Sequence, residues 1–137
     1  MPAASSRLLR GLAVSLTGFV SATALFGGVE LLTGWPRRQP TEWLAGTPFD
    51  SYAVPGLLLA GLVGGSNAVA AWATARRSPR WPELTTAAGV VLLGWIAAEV
   101  ALLDQPEAPT PIEWTYAGIG ALTATLGGLA WAGRPGD

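Results

Sequence analysis

The sequence predicts an all-α membrane protein, an up-down bundle of four transmembrane helices. Half of its 137 residues are hydrophobic and only 12% are charged. The charged residues leave four long apolar stretches, each near the length of about 20 residues that an α-helix needs to cross hydrocarbon. Stripes of small residues argue against helices in water but allow close helix packing in lipid. The predicted spans, within one domain of residues 1–137, are residues 11–33, 53–75, 84–103 and 115–132.

The composition excludes several classes of function. The chain has no cysteine and no histidine, so it lacks thiolate chemistry and the commonest general base and metal ligand. A net charge of −1 gives no basic surface for nucleic acid. We therefore expect no metal, no cofactor, no nucleic-acid partner, no catalytic residues and no enzymatic activity.

The first predicted span, residues 11–33, contains one charged residue, Glu30. A secretory signal peptide with a cleavage site at Ala22-Thr23-Ala24 is the alternative interpretation. The apolar stretch continues beyond that site, which favours a helix that is retained in the membrane.

The longest polar segment, residues 34–50, is the predicted outer loop. Thr41 is expected to cap a single helical turn that stops at Gly46. This turn would place Trp43 and Leu44 on the membrane surface.

Two segments have the same threonine, proline and acid pattern of a helix start, Thr47–Asp50 and Thr110–Glu113. They predict the starts of the second and fourth helices. Pro55 instead favours a kink in the second helix or a later start near Tyr52.

The second span, residues 53–75, has the clearest small-residue stripe. Its members fall four residues apart, which places them on one helix face for packing, and Gly61 and Gly65 extend that face; they are Gly56, Ala60, Gly64 and Ala68. Asn67 is expected to form a hydrogen bond between helices, with a pore or substrate contact as the alternative.

The third span, residues 84–103, is interrupted only by Glu99. The loop of residues 104–111 contains prolines and acids. A second stripe of small residues then predicts close packing of the fourth span; it comprises Gly120, Ala124, Gly128 and Ala132.

The arginines predict the orientation, because cytoplasmic segments carry an excess of basic residues. With the N-terminus inside, six arginines lie inside and only Arg37 and Arg38 lie outside; the six are Arg7, Arg10, Arg76, Arg77, Arg80 and Arg134. The expected location is therefore the cell membrane, with several spans and both termini cytoplasmic.

The candidate site comprises Glu30 and Glu99, which this orientation places at similar depth in the outer leaflet. Ionisable residues within a span are costly and are candidates for a ligand or proton site. Tyr52 and Tyr116 would lie close to them, and the expected ligand is a cation, a proton or a polar headgroup. The alternative is that both glutamates reach the interface as structural anchors.

The second helix carries a family resemblance. The segments Thr47-Pro48-Phe49-Asp50-Ser51-Tyr52, Val54-Pro55-Gly56-Leu57-Leu58-Leu59 and Val63-Gly64-Gly65 resemble those of small four-helix membrane proteins of high-GC bacteria. The resemblance implies an architecture and no activity or site residues. Small multidrug resistance transporters are also similar in having four short spans and a membrane glutamate, but their acid lies mid-helix and Glu30 lies near an end.

These observations favour a non-enzymatic integral membrane protein that acts as an accessory or interaction subunit. Its partners would be the lipid bilayer and a larger membrane protein or a second copy. The alternative is a small transporter or ligand-binding bundle with an outward-facing acidic site at Glu30 and Glu99.

Overall fold

The computed structural model describes residues 3–134, which form a bundle of four helices. They are α1 (Ala3–Thr33), α2 (Ala53–Ala75), α3 (Trp81–Leu102) and α4 (Pro111–Ala132). A single 3₁₀ turn, Thr41–Leu44, lies in the first loop. Both α1 and α3 pack against α2 and α4, so the four helices surround a common core.

Three of these helices are long and apolar enough to cross a membrane: Ala4–Thr33, Ala53–Ala75 and Trp81–Leu102. Helix α4, which contains the predicted fourth span, is not among them. It is as long as α3, at 22 residues. Its threonines and glycines, which are much less hydrophobic than the valines and leucines of α3, lower its mean hydropathy.

Helices α1 and α2 approach closely at small residues. A Cβ atom on Gly28 would lie 2.6 Å from the Cβ of Ala60 and 2.8 Å from the carbonyl oxygen of Gly56. The Ser21 hydroxyl donates a hydrogen bond of 2.8 Å to the carbonyl of Gly64. These contacts run in opposite chain order along the two helices, so α1 and α2 form an antiparallel hairpin.

The packing face of α2 is narrower than its stripe predicted. A Cβ on Gly61 or Gly65 would have nothing within 4 Å, and Ala68 is exposed. Asn67 is buried, but its Nδ2 donates to the carbonyl of Val63 in the same helix at 3.0 Å. Its Oδ1 has no hydrogen-bond partner within residues 3–134. The interhelical hydrogen bond expected for Asn67 is therefore wrong.

Helix α2 begins at Ala53, after Tyr52, and the start predicted at Thr47 is wrong. The Thr47 hydroxyl donates to the carbonyl of Leu44 at 2.7 Å and accepts the N–H of Phe49 at 3.2 Å. The threonine therefore closes a turn and does not cap the helix. The later start confirms the prediction from Pro55, which lies in the first turn, where its missing N–H costs no helical hydrogen bond.

Helices α3 and α4 form a second hairpin. A Cβ on Gly89 would lie 2.7 Å from the carbonyl oxygen of Gly120 and 2.9 Å from the Cα of Ala124. The predicted stripe is correct at these two α4 positions but wrong at Gly128, which has open space around it. Gly127 packs against α3 instead, because helical positions that face one neighbour alternate between spacings of three and four.

The two ends of the bundle differ. At one end, which we name the arginine end, the start of α1 and the end of α2 meet the start of α3 and the end of α4. Its core contains Ala13, Ala73, Trp81 and Ala130. The opposite end, the loop end, carries residues 34–52 and 103–110.

Candidate ligand site

A cavity of about 1020 Å³ lies at the loop end, lined by all four helices and both loops. The four residues that the sequence suggested for a site all belong to its lining: Glu30, Glu99, Tyr52 and Tyr116. The structure thus brings together side chains that are separated by up to 86 positions in the chain.

The cavity lies between the two hairpins, whose closest backbone contacts are the glycine contacts within each hairpin. In the middle of the bundle the core between the hairpins consists of the apolar side chains of Val20, Ala24, Val63 and Leu92. A smaller cavity of about 150 Å³ is lined by all four of these residues, together with residues of the larger cavity. The open space therefore continues from the loop end to the middle of the bundle.

Glu30, on α1, is more deeply buried than Glu99, the other predicted acid. It is 8% exposed, and its Oε2 atom forms no hydrogen bond with any described residue. Arg37 approaches that atom with Nε at 3.7 Å, but the arginine side chain is 79% exposed. This separation exceeds a hydrogen-bond distance, so the carboxyl group keeps its capacity to accept a donor from a ligand.

Glu99 lies on α3, half-buried, one turn after Trp95. Residues four apart share a helix face, and both side chains line the two cavities. Glu113 of α4 lines the same two cavities. Two carboxyl groups from different helices thus border one small, largely apolar space, which favours a cation between them.

Glu113 was not singled out by the sequence as a site residue. It is 4% exposed, and its carboxylate accepts the backbone N–H of Thr110 at 2.7 Å, with the Thr110 hydroxyl on the same oxygen. From the sequence, only this capping role was predicted for Glu113. The spacing of three residues between Glu113 and Tyr116 places both side chains on one helix face, and this pattern was not used in the prediction.

The two tyrosines are held in different ways. The Tyr52 hydroxyl donates a hydrogen bond of 2.5 Å to the carbonyl of Pro40. Burial raises the pKa of Tyr52, and the carboxylates of Glu42 and Glu99 raise it further. The Tyr116 ring stacks on Phe19 of α1, with ring centroids 6.3 Å apart and planes 11° apart.

The first loop covers the cavity. The N–H of Asp104 donates to the carbonyl of Trp43 at 2.8 Å, which joins this loop to the loop between α3 and α4. Trp43 lines the cavity, and Leu44 is 4% exposed. The surface position expected for Leu44 is therefore wrong, because hydrogen bonds at Pro40 and Trp43 hold the turn inward. Trp43 is half-buried.

The three glutamates surround the cavity and do not form a compact cluster. Within the described part of the chain, no group of three or more acidic, histidine or cysteine side chains is arranged to hold a metal ion. Much of the wall between the carboxyl groups is apolar, including Phe26, Leu58 and Leu102. Separated charges with apolar walls suit an organic ligand.

Comparisons with protein-family models, with curated proteins and with solved structures gave no match for this chain.

Proposed function

We propose that the chain is a small, non-enzymatic integral membrane protein that binds an organic cation in the cavity at its loop end. In this proposal all four helices cross the bilayer in an up-down arrangement, and both termini are cytoplasmic. Three helices with the length and hydropathy of spans support the arrangement. The six arginines at the arginine end, against Arg37 and Arg38 at the loop end, support the orientation.

The observation that carries the proposal is the convergence of three glutamates from three helices on one cavity. Glu30 comes from α1, Glu99 from α3 and Glu113 from α4. Buried carboxyl groups are costly without compensating charge. Arg37 is the arginine of the described lining, and it lies at the exposed rim. A cation within the cavity would supply the positive charge that balances the carboxylates, which Arg37 alone balances only in part.

The apolar and aromatic lining favours an organic cation over a hydrated metal ion. Trp95, Tyr52 and Tyr116 present aromatic side chains around the carboxyl groups. Aromatic faces attract cations, by about 0.5–2 kcal/mol for each contact. Alkyl groups on a cation would also displace water from the apolar walls.

Equilibrium binding of tetrapropylammonium to the purified protein tests the proposal. Glu30→Gln, Glu99→Gln and Glu113→Gln are each expected to weaken binding about tenfold, as loss of one charged contact of about 1.5 kcal/mol predicts. Glu107→Gln is the matched control, since Glu107 is exposed and does not line the cavity. Equal affinity of all four variants and the wild type would refute the proposal.

The orientation is tested by reporter fusions. A reporter fused after Arg134 is expected to be active in the cytoplasm, and one inserted after Gly46 to be active outside. The opposite pattern, or the same compartment for both, would contradict the four-span arrangement.

An accessory or interaction subunit is the second proposal, supported by small residues of α2 that do not pack against the rest of the bundle. Gly61, Gly65 and Ala68 form an open surface at which another helix or a second copy would approach closely. Gly61→Leu is expected to release a co-purifying partner or to dissociate a homo-oligomer after extraction in mild detergent. Isolation of a monomer alone from native membranes would argue against this role.

A further inference from the structure

The cavity is bordered by side chains that also face outward from the bundle. Leu62 of α2 lines it and is 52% exposed, and Leu102 of α3 lines it and is 54% exposed. A side chain with both properties stands at an opening in the wall. The cavity therefore opens sideways between α2 and α3, as well as toward the loops. Phe26 of α1 (56% exposed) and Ile112 of α4 (69% exposed) mark a second lateral opening by the same criterion.

Two local features maintain this opening. Residues Leu59–Gly64 form a π-helical segment of α2, and its Leu59 and Leu62 line the cavity. Such segments often occur at functional sites because they change the direction of side chains. On the facing helix, Gly94 and Ala98 are small, exposed and also part of the lining. The small side chains leave room beside Leu62.

We propose that the ligand is a zwitterionic phospholipid with a primary ammonium headgroup, which enters from the bilayer between α2 and α3. This inference rests on the proposed function and specifies its ligand. The ammonium group lies between Glu99 and Glu113, and a hydrocarbon chain leaves through the opening beside Leu62. The phosphate binds Arg37, whose exposed side chain is only loosely paired with Glu30.

The charge arrangement selects this occupant. An anionic lipid would bring its headgroup against three carboxyl groups, which repel it. A small soluble cation would bind the carboxyl groups, but it would not occupy the lateral opening and would not contact Arg37 at the rim. A zwitterionic lipid with a primary ammonium group matches the acidic interior, the basic rim and the apolar opening.

The test is retention of lipid from vesicles that contain phosphatidylethanolamine and phosphatidylglycerol in equal amounts. The protein is extracted in mild detergent, and the bound lipid is identified by native mass spectrometry. The wild type is expected to retain phosphatidylethanolamine about tenfold over phosphatidylglycerol. Glu99→Gln is expected to remove that preference, and Glu107→Gln to keep it.

A bulky residue at the opening provides a second arm. Leu62→Trp is expected to reduce phosphatidylethanolamine retention about tenfold, whereas Leu57→Trp is expected to leave it unchanged. Leu57 is also exposed on α2 but does not line the cavity. Ala98→Trp obstructs the opening from α3, so the test stands even where Leu62→Trp does not fold.

The outcomes separate this inference from the proposed function. Glutamate-dependent binding of tetrapropylammonium without retention of phosphatidylethanolamine overturns the inference alone. Equal retention of both lipids, or phosphoethanolamine binding as strongly as the whole lipid, also overturns it. If the wild-type protein binds no tetrapropylammonium and retains no phosphatidylethanolamine, both proposals are overturned.

Discussion

The backbone N–H of Asp104 donates a 2.8 Å hydrogen bond to the carbonyl oxygen of Trp43, and this bond joins the two hairpins above the cavity. Each partner belongs to the loop of a different hairpin. The hairpins otherwise meet through the core in the middle of the bundle and at the arginine end. This single backbone hydrogen bond therefore holds the two loops together over the cavity. Breaking it would let the hairpins move apart at the loop end and open the cavity.

Removing this bond is expected to open the cavity. Asp104→Pro deletes the donor N–H, and the extended backbone of Leu103 (φ −81°, ψ 137°) accepts a following proline. Because the chain has no cysteine, a single Thr23→Cys reports access to the half-buried part of the lining. Its labelling by a membrane-impermeant maleimide is expected to accelerate severalfold. Asp104→Ala, which keeps the N–H, is the control, and equal acceleration by both variants would contradict the prediction.

The close contact within the first hairpin predicts a specific loss of stability. A Cβ on Gly28 would meet the Cβ of Ala60 at 2.6 Å, so Gly28→Ala forces the backbones apart. We expect a loss of about 1–3 kcal/mol, typical of overpacking, measured by unfolding in detergent. Gly18→Ala on the same helix is the control, because a Cβ there has nothing within 4 Å. A loss of the same size in both variants would show that helix propensity, and not packing, determines the result.

The sequence predicted the helices better than their faces. Long apolar stretches and proline positions located all four helices, because these signals depend on local chain properties. The rotation of each helix about its axis determines which small residues contact a neighbouring helix. This rotation depends on the packing of the whole bundle and not on the local sequence. Gly61 and Gly128 therefore belong to predicted stripes but face open space, whereas Gly28 and Gly127 make close contacts that no stripe indicated.

The candidate site was also predictable only where local sequence properties identify its residues. Glu30 and Glu99 stood out because acids are rare within apolar stretches. Glu113 did not, since a helix start with an acid at its third position is already explained by capping. Glu113 lines the cavity only because α4 packs against the neighbouring helices, and this packing is not visible in the sequence.

The two roles of Glu113 can be separated by substitution. Thr110→Val removes the hydroxyl of the cap and is expected to cost about 1 kcal/mol of stability while leaving the carboxyl group in the cavity. In Glu113→Gln the side-chain oxygen still accepts the Thr110 N–H, so stability is expected to change by less than about 0.5 kcal/mol. Tetrapropylammonium affinity is expected to fall about tenfold in Glu113→Gln only. Equal loss of affinity in both variants would mean that Glu113 acts through helix capping alone.

The raised pKa of Tyr52 predicts how stability depends on pH. A tyrosine with a higher pKa in the folded protein than its ordinary value of 10.0 binds its proton more tightly when folded. Its contribution is therefore complete below pH 10 and is lost as the pH rises through the folded-state pKa. Ionisation also removes the hydroxyl donor to Pro40, which holds the loop over the cavity.

Tyr52→Phe is thus expected to be less stable than the wild type by about 1 kcal/mol below pH 10, the value of one hydrogen bond. Above pH 10 this difference is expected to shrink, because only the wild type loses stability through residue 52. Unfolding in detergent between pH 8 and 11 measures both effects. Glu42→Gln removes one of the carboxylates that raise the pKa, so its stability is expected to fall less steeply above pH 10. A constant difference between the wild type and Tyr52→Phe over this whole range would contradict the role assigned to the hydroxyl.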